Sequence, residues 1–169
     1  LPRDKVFETC KAVPKLDLRM DVDKDALNAC TDEILQNLSQ AKSPVLMVGV
    51  EIRRFGLEQQ VTELSQKLGI PVVSTFMGRG LLAKKNIDLQ GTYLGIAGNP
   101  NTTSMVEDSD NLFLLGVLLS DTNFCISAKK IDIQKTILAS DGEVSLGYHT
   151  YNDIHLIDLV ESLNSKLST

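Results

Sequence analysis

Cysteine, histidine and basic residues are all scarce in this sequence, and it has no long apolar run. The three cysteines, Cys10, Cys30 and Cys125, are odd in number and show neither a CxxC pair nor zinc-type spacing. This argues against a disulfide framework and a structural metal site, and favours reduced, buried thiols in a cytoplasmic protein. Lysine and arginine total 17 against 22 aspartate and glutamate, a net charge of -5. The basic residues are scattered, so no footprint for a phosphate backbone forms and nucleic acid is not an expected partner. The uncharged stretch from Asn111 to Ser120 is far shorter than the ~20 apolar residues of a membrane span, and no membrane partner is expected. With 5 prolines and 11 glycines in 169 residues, the collagen-like, mucin-like and disordered classes drop out. What remains is an ordinary soluble domain, 43% hydrophobic. It is long enough to bury roughly 70% of its unfolded surface without a disulfide or metal staple.

The sequence has no initiator Met and no signal peptide, and opens as though cut from a longer chain. Residues 1 to 20 contain Pro2 and Pro14 and no sustained period, and read as an extended tail or linker. From Asp23, a candidate N-cap, the stripe Leu27, Cys30, Ile34, Leu38 and Ala41 predicts a helix to about Lys42. Pro44 to Val50 is a continuous apolar run bounded by Pro and Gly, the pattern of a strand covered on both faces. Leu57, Val61, Leu64 and Leu68 predict a second helix ending at Gly69, followed by a strand at Pro71 to Thr75, which completes a right-handed β-α-β unit.

Phe76 to Gly98, with five glycines and no clean period, reads as a long loop with room for a short helix. Pro100 suits the first turn of a helix running to Asp108. Further strands are expected at Asn111 to Val117 and Lys135 to Ala139, with a short fifth at Glu143 to Tyr148. The last helix carries the stripe Leu156, Val160, Leu163 and Leu167, with Asp153 near its start. Alternating helices and buried strands define an α/β fold. The expected architecture is a Rossmann-like, doubly wound sheet of five or six mainly parallel strands with helices on both faces.

In such a sheet a ligand sits beyond the carboxyl ends of the strands, so the loops after Val50, Thr75 and Val117 hold the candidate residues. Gly49, Arg53, Arg54, Thr75, Gly78, Arg79 and Asp121 lie there. The first loop has no GxGxxG, and no Lys-Ser or Lys-Thr follows Gly56, so a phosphate finds no backbone cradle. Arg53 and Arg54 either grip a phosphate or carboxylate, or one of them forms a salt bridge across a domain interface; the nearby Glu51, which can neutralise an arginine, favours the second reading. Gly78 and Gly80 permit close backbone approach or simply make a turn. Asp121 has no clustered carboxylates and reads more readily as a cap than as a metal or ribose ligand. His149 and His155 share no metal spacing with an acid or thiol, which leaves solvated or capping roles. Asp141-Gly142 reads as a turn between strands. No catalytic constellation and no metal site can be assembled, and without a ligand the crevice is expected to be filled by its own side chains or closed by a neighbouring loop.

The run from Pro44 to Gly56, including Ile52-Arg53-Arg54-Phe55, resembles the first strand and loop of the central domain of thiamine-diphosphate-dependent 2-oxo-acid decarboxylases. Gly69 to Gly80, Gly91 to Gly95 with Ala97 to Pro100, and Ser109-Asp110 with Leu114 to Phe124 resemble the later signatures. The combination is similar to the pyruvate, indolepyruvate and phenylpyruvate decarboxylase branch. Leu1-Pro2-Arg3-Asp4 resembles the end of the preceding pyrimidine-binding domain. The resemblance therefore implies that residues 1-20 are a linker from that domain and 21-169 the central domain. It also implies that thiamine diphosphate and Mg are held by two other domains of the parent enzyme, and that this fragment itself holds no cofactor. The implied role is architectural: joining the catalytic domains and packing against other subunits of a homo-oligomer. A flavin- or adenine-nucleotide-binding module of the same fold is the main alternative, and a free-standing interaction domain the third.

Overall fold

The computed structural model describes residues 9, 22–83, 87–120 and 131–168. The expectation for residues 1 to 20, Asp121, Cys10 and Cys125 all lie outside these, apart from the exposed Thr9. In chain order the elements are α1 (Lys24–Gln40), β1 (Pro44–Val48), α2 (Glu51–Arg54), α3 (Glu58–Leu68), β2 (Val72–Ser74), β3 (Leu89–Thr92), α4 (Pro100–Glu107), β4 (Asn111–Leu115), β5 (Thr136–Ser140), β6 (Glu143–Leu146), β7 (His149–Asn152) and α5 (Leu156–Lys166).

One sheet has the order β3-β2-β1-β4-β5-β6-β7. Its first five strands are mutually parallel, with β1 paired to β2 on one side and to β4 on the other. The last two are antiparallel additions. Among the described residues the sheet therefore has seven strands rather than the expected five or six, because two edge strands carry almost no apolar signal. β3 reads Leu-Gln-Gly-Thr and meets β2 through a register irregularity at Val72/Val73. β7 reads His-Thr-Tyr-Asn and is largely exposed. β6 is antiparallel because only Asp141 and Gly142 separate it from β5, too few residues for a crossover.

Local signals account for most of the remaining elements. The Asp23 carboxylate accepts from the N–H groups of Asp25 and Ala26 (2.9 and 3.2 Å) and starts α1. Gly69 takes the left-handed conformation that ends α3. Asn99 caps α4 by accepting from the Asn101 N–H, with Pro100 in the first turn. The segment expected to be a loop after β1 instead begins with the single turn α2, and the expected loop from Phe76 to Gly98 contains β3 and a 3-10 turn at Gly95–Ala97.

Because strand side chains alternate, the central strands feed two cores. Leu46, Val48, Phe113, Leu115 and Ile137 pack with apolar residues of α1, α3 and α5. On the other face Val45, Met47, Val73, Leu112 and Leu114 pack with Val106 of α4. Both faces of the parallel sheet are covered, which explains why β1 and β4 read as unbroken apolar runs. Among the described residues, no helix is long and apolar enough to cross a membrane.

Candidate functional site

β2 and β3 extend to one side of β1, while β4 and β5 extend to the other. The topological switch point therefore falls between the carboxyl ends of β1 and β4, where sheets of this kind open a ligand crevice. Here the main chain occupies that place. The Gly49 N–H donates to the Leu115 carbonyl (2.9 Å), the Glu51 N–H to Gly116 (3.1 Å), and the Gly116 N–H to Ala139 (2.8 Å). A Cβ on Gly49 would lie 2.0 Å from the Gly116 oxygen and 2.4 Å from the Val117 Cα. No side chain fits there. Gly116 has φ +63°, and a Cβ on it would press on Ile52 and Glu51.

From the other flank the loop after β2 folds onto the same spot. The Thr75 N–H donates to the Val48 carbonyl (3.0 Å), and the Gly78 N–H donates to the buried Thr75 hydroxyl (3.1 Å). A Cβ on Gly78 would stand 3.0 Å from the Val48 oxygen and 3.4 Å from the Gly49 carbonyl carbon. Of the residues singled out from sequence, Gly49, Thr75 and Gly78 are thus brought together in close backbone packing.

The three arginines point elsewhere. Arg53 lies 3.7 Å from Glu58, and Arg54 lies 3.7 Å from Glu51. Arg79 lies over the Phe76 ring, 5.6 Å from its centroid. Both pairings are local, between α2 and residues of its own segment and the next helix.

Sequence reading missed a polar relay beside the switch point. Buried Glu51 accepts from the Asp141 N–H (3.3 Å), joining residues 90 positions apart. The Asp141 carboxylate in turn accepts from the Leu156 N–H (3.1 Å) and lies 3.4 Å from the His155 imidazole. Asp141, not Asp153, therefore serves the start of α5, while Asp153 sits in the preceding turn with φ 58°. The Asp141-Gly142 turn is where the sequence placed it; its partner across the sheet carried no local signal. His155 occupies the N-cap position of α5 without a side-chain cap bond.

A second cluster joins α1 to the edge strand. One Glu33 oxygen takes the His149 Nδ1 (2.9 Å) and the Tyr151 hydroxyl (2.7 Å). Burial, then the hydrogen bond and charge of Glu33, push the Tyr151 phenol up to about 12. Burial, then Glu33, push the Cys30 thiol to about 12 as well, which keeps it an unreactive thiol.

Thiamine diphosphate requires a metal held by converging oxygen ligands or a cradle of N–H groups around open space. Among the described residues no three His, Cys, Asp or Glu side chains converge in that way. The N–H groups of Gly49, Gly78 and Gly116 are already spent on protein acceptors. The described residues do not fit the group.

The parallel sheet covered on both faces defines a class: a Rossmann-like α/β domain. The family model described as thiamine pyrophosphate enzyme, central domain, matches residues 31–163, and the chain belongs to that family. It is 56% identical over 163 residues to an indole-3-pyruvate decarboxylase of Azospirillum brasilense, covering 96% of this chain and 30% of the relative. A pyruvate decarboxylase of Aspergillus terreus is 27% identical over 161 residues, covering 92% of this chain and 28% of that protein. One of Hanseniaspora uvarum is 30% identical over 120 residues, covering 70% and 20%. The chain thus spans less than a third of the length of these relatives. Family and relatives alike give no support to the flavin- or adenine-nucleotide-binding alternative.

Proposed function

We propose that this domain is the noncatalytic centre of a cytoplasmic 2-oxo-acid decarboxylase of the indolepyruvate, phenylpyruvate or pyruvate type, joining two catalytic domains within a homo-oligomer. The observation that carries the noncatalytic role is the main-chain closure at the switch point, with Gly49 held between Gly116 and Gly78. The similarity to the indole-3-pyruvate decarboxylase supports the parent activity. Thiamine diphosphate with Mg, bound by the other domains, supplies the electron sink for loss of carbon dioxide from the 2-oxo acid. Residues 21–169 supply the rigid sheet to which those domains attach, and 1–20 the connection to the first.

Two measurements test this. The full-length parent, loaded with thiamine diphosphate and magnesium, is assayed for aldehyde release from indolepyruvate, phenylpyruvate and pyruvate; turnover of at least one is expected. The 169-residue chain is titrated calorimetrically with thiamine diphosphate and magnesium, then separately with flavin adenine dinucleotide. No saturable binding is expected, and low-micromolar binding of either would turn the spacer into a cofactor domain. No turnover of any 2-oxo acid would remove the decarboxylase reading.

A further inference from the structure

The turn between β5 and β6 consists of Asp141 and Gly142 alone, and geometry fixes both residues. Gly142 has φ +91°, a conformation that favours glycine, and Asp141 supplies the carboxylate that receives the Leu156 N–H at the start of α5. The fold therefore obliges the chain to carry an Asp-Gly pair. It occurs once in the sequence, which has no Asn-Gly.

This pair has a covalent chemistry of its own. With no glycine side chain to shield it, the Gly142 nitrogen can bond to the Asp141 Cγ, while the nitrogen's proton and the carboxyl hydroxyl leave as water. A cyclic imide results. Water then adds to one of the two imide carbonyls, and the C–N bond at that carbonyl breaks. Loss of the new bond restores aspartate; loss of the original peptide bond leaves isoaspartate, with the side-chain methylene carried into the main chain. Water is the only co-reactant, and nothing is oxidised or reduced.

In the folded chain the reacting groups are held elsewhere. The Gly142 N–H donates to the Ile154 carbonyl (3.0 Å), and the Gly142 carbonyl accepts from the Asp153 N–H (2.8 Å). The Asp141 Oδ1 accepts from the Leu156 N–H (3.1 Å) and lies 3.4 Å from the His155 Nδ1, which ties the carboxyl group to α5. The Asp141 N–H donates to Glu51 (3.3 Å), which anchors the turn to the segment after β1. Imide closure needs the nitrogen released from Ile154 and the Cγ swung away from α5. The Asp141 side chain is 27% exposed, so geometry rather than dryness restrains the reaction.

We infer that Asp141-Gly142 is a latent isomerisation site that the native turn holds shut, with Glu51 as its guard. While the turn is open the imide can close, and the extra main-chain atom of isoaspartate then prevents the Ser140–Glu143 pairing and the contact with α5 from re-forming. A reversible local opening becomes a permanent covalent change.

The test counts isoaspartate at position 141 in the full-length parent aged at neutral pH, either folded or unfolded in urea. Digestion with a peptidase that cuts before aspartate but not before isoaspartate, read by mass spectrometry, gives the count. The unfolded chain is expected to accumulate isoaspartate about tenfold faster or more, since the folded chain reacts only through local opening. A ratio below about threefold, or no isoaspartate in either state, overturns the inference. Glu51→Ala is expected to raise the folded rate about threefold or more, and Glu51→Gln, which keeps an acceptor oxygen, to leave it near the parent's. Val73→Ala separates local from global opening, because it leaves a cavity in the other core, away from the turn. If it accelerates the reaction as much as Glu51→Ala does, global unfolding accounts for the effect and Glu51 is no guard. The count does not depend on turnover, so it stands or falls apart from the proposed function.

Discussion

The two ends of the parallel sheet are closed by different means. At the carboxyl end, main chain packs on main chain through Gly49, Gly78 and Gly116. At the amino end, the Asp110 carboxylate accepts from the N–H groups of Lys42 and Ser43 (2.7 and 2.9 Å), and the Ser109 hydroxyl donates to the Ser43 carbonyl (3.0 Å). The first closure leaves no room and has no solvent to substitute for a lost contact. The second is exposed, so water replaces what a substitution removes. Tolerance to change should therefore fall steeply from the amino to the carboxyl end.

The largest effect is expected at Gly49. An alanine there puts a Cβ 2.0 Å from a main-chain oxygen that the sheet holds in place. A loss of about 3 kcal/mol follows from overpacking of this kind. For a domain of this size the thermal midpoint falls by roughly 10 °C. A Gly49→Ala midpoint within a degree or two of the parent chain would show slack at the switch point and undo the comparison.

Glu51→Ala comes next. It strands the Asp141 N–H beside the switch point, and removing a part-buried acceptor costs about 1–2 kcal/mol. Glu51→Gln keeps an acceptor oxygen and should recover most of that loss in denaturant titrations. Equal losses in the two variants would assign the effect to charge rather than to the hydrogen bond.

Asp110 sharpens the contrast through pH. Backbone hydrogen bonds from Lys42 and then Ser43 hold its carboxyl below the usual 3.8. A lowered folded-state value means that its contribution is fully present above 3.8 and is lost as pH falls through the lowered value. Asp110→Asn should thus melt below the parent chain at neutral pH, by less than either substitution above, with the gap closing in acid. A gap that stays constant into acid would deny the carboxylate its role.

These differences also explain which parts of the molecule could be read from sequence. β1 and β4 were legible because both faces are buried, leaving the last four positions of each strand buried and apolar. Asp23, Gly69 and Pro100 marked helix ends through their own backbone preferences. β3 was not legible, since it is a half-buried edge strand of four residues containing a glycine at φ +135°. The glycines at the candidate site were visible as loop residues, but a glycine that makes a turn and one that admits another backbone look the same in sequence. Gly80 has nothing within reach of an added Cβ, while Gly78, two residues earlier, is in contact with Val48 and Gly49. The Glu51–Asp141 hydrogen bond crosses 90 residues and depends wholly on strand order.

The smallest effect is expected at the exposed arginines, and it separates closing the edge from decorating it. Arg53 meets Glu58 at 3.7 Å with both side chains partly solvated, a geometry in which Coulomb attraction is screened and ordering two long side chains costs entropy. Arg79 rests on a Phe76 ring that is itself substantially exposed, so little water is displaced by the contact. If the main chain alone closes the carboxyl end, Arg53→Gln and Arg79→Gln should each change the stability of the 169-residue chain by no more than about 0.5 kcal/mol. Chemical denaturation with matched m-values measures this directly. A loss above about 1.5 kcal/mol from either would show that the guanidinium holds its loop against the sheet. The carboxyl edge would then be closed by side chains after all, as the amino edge is.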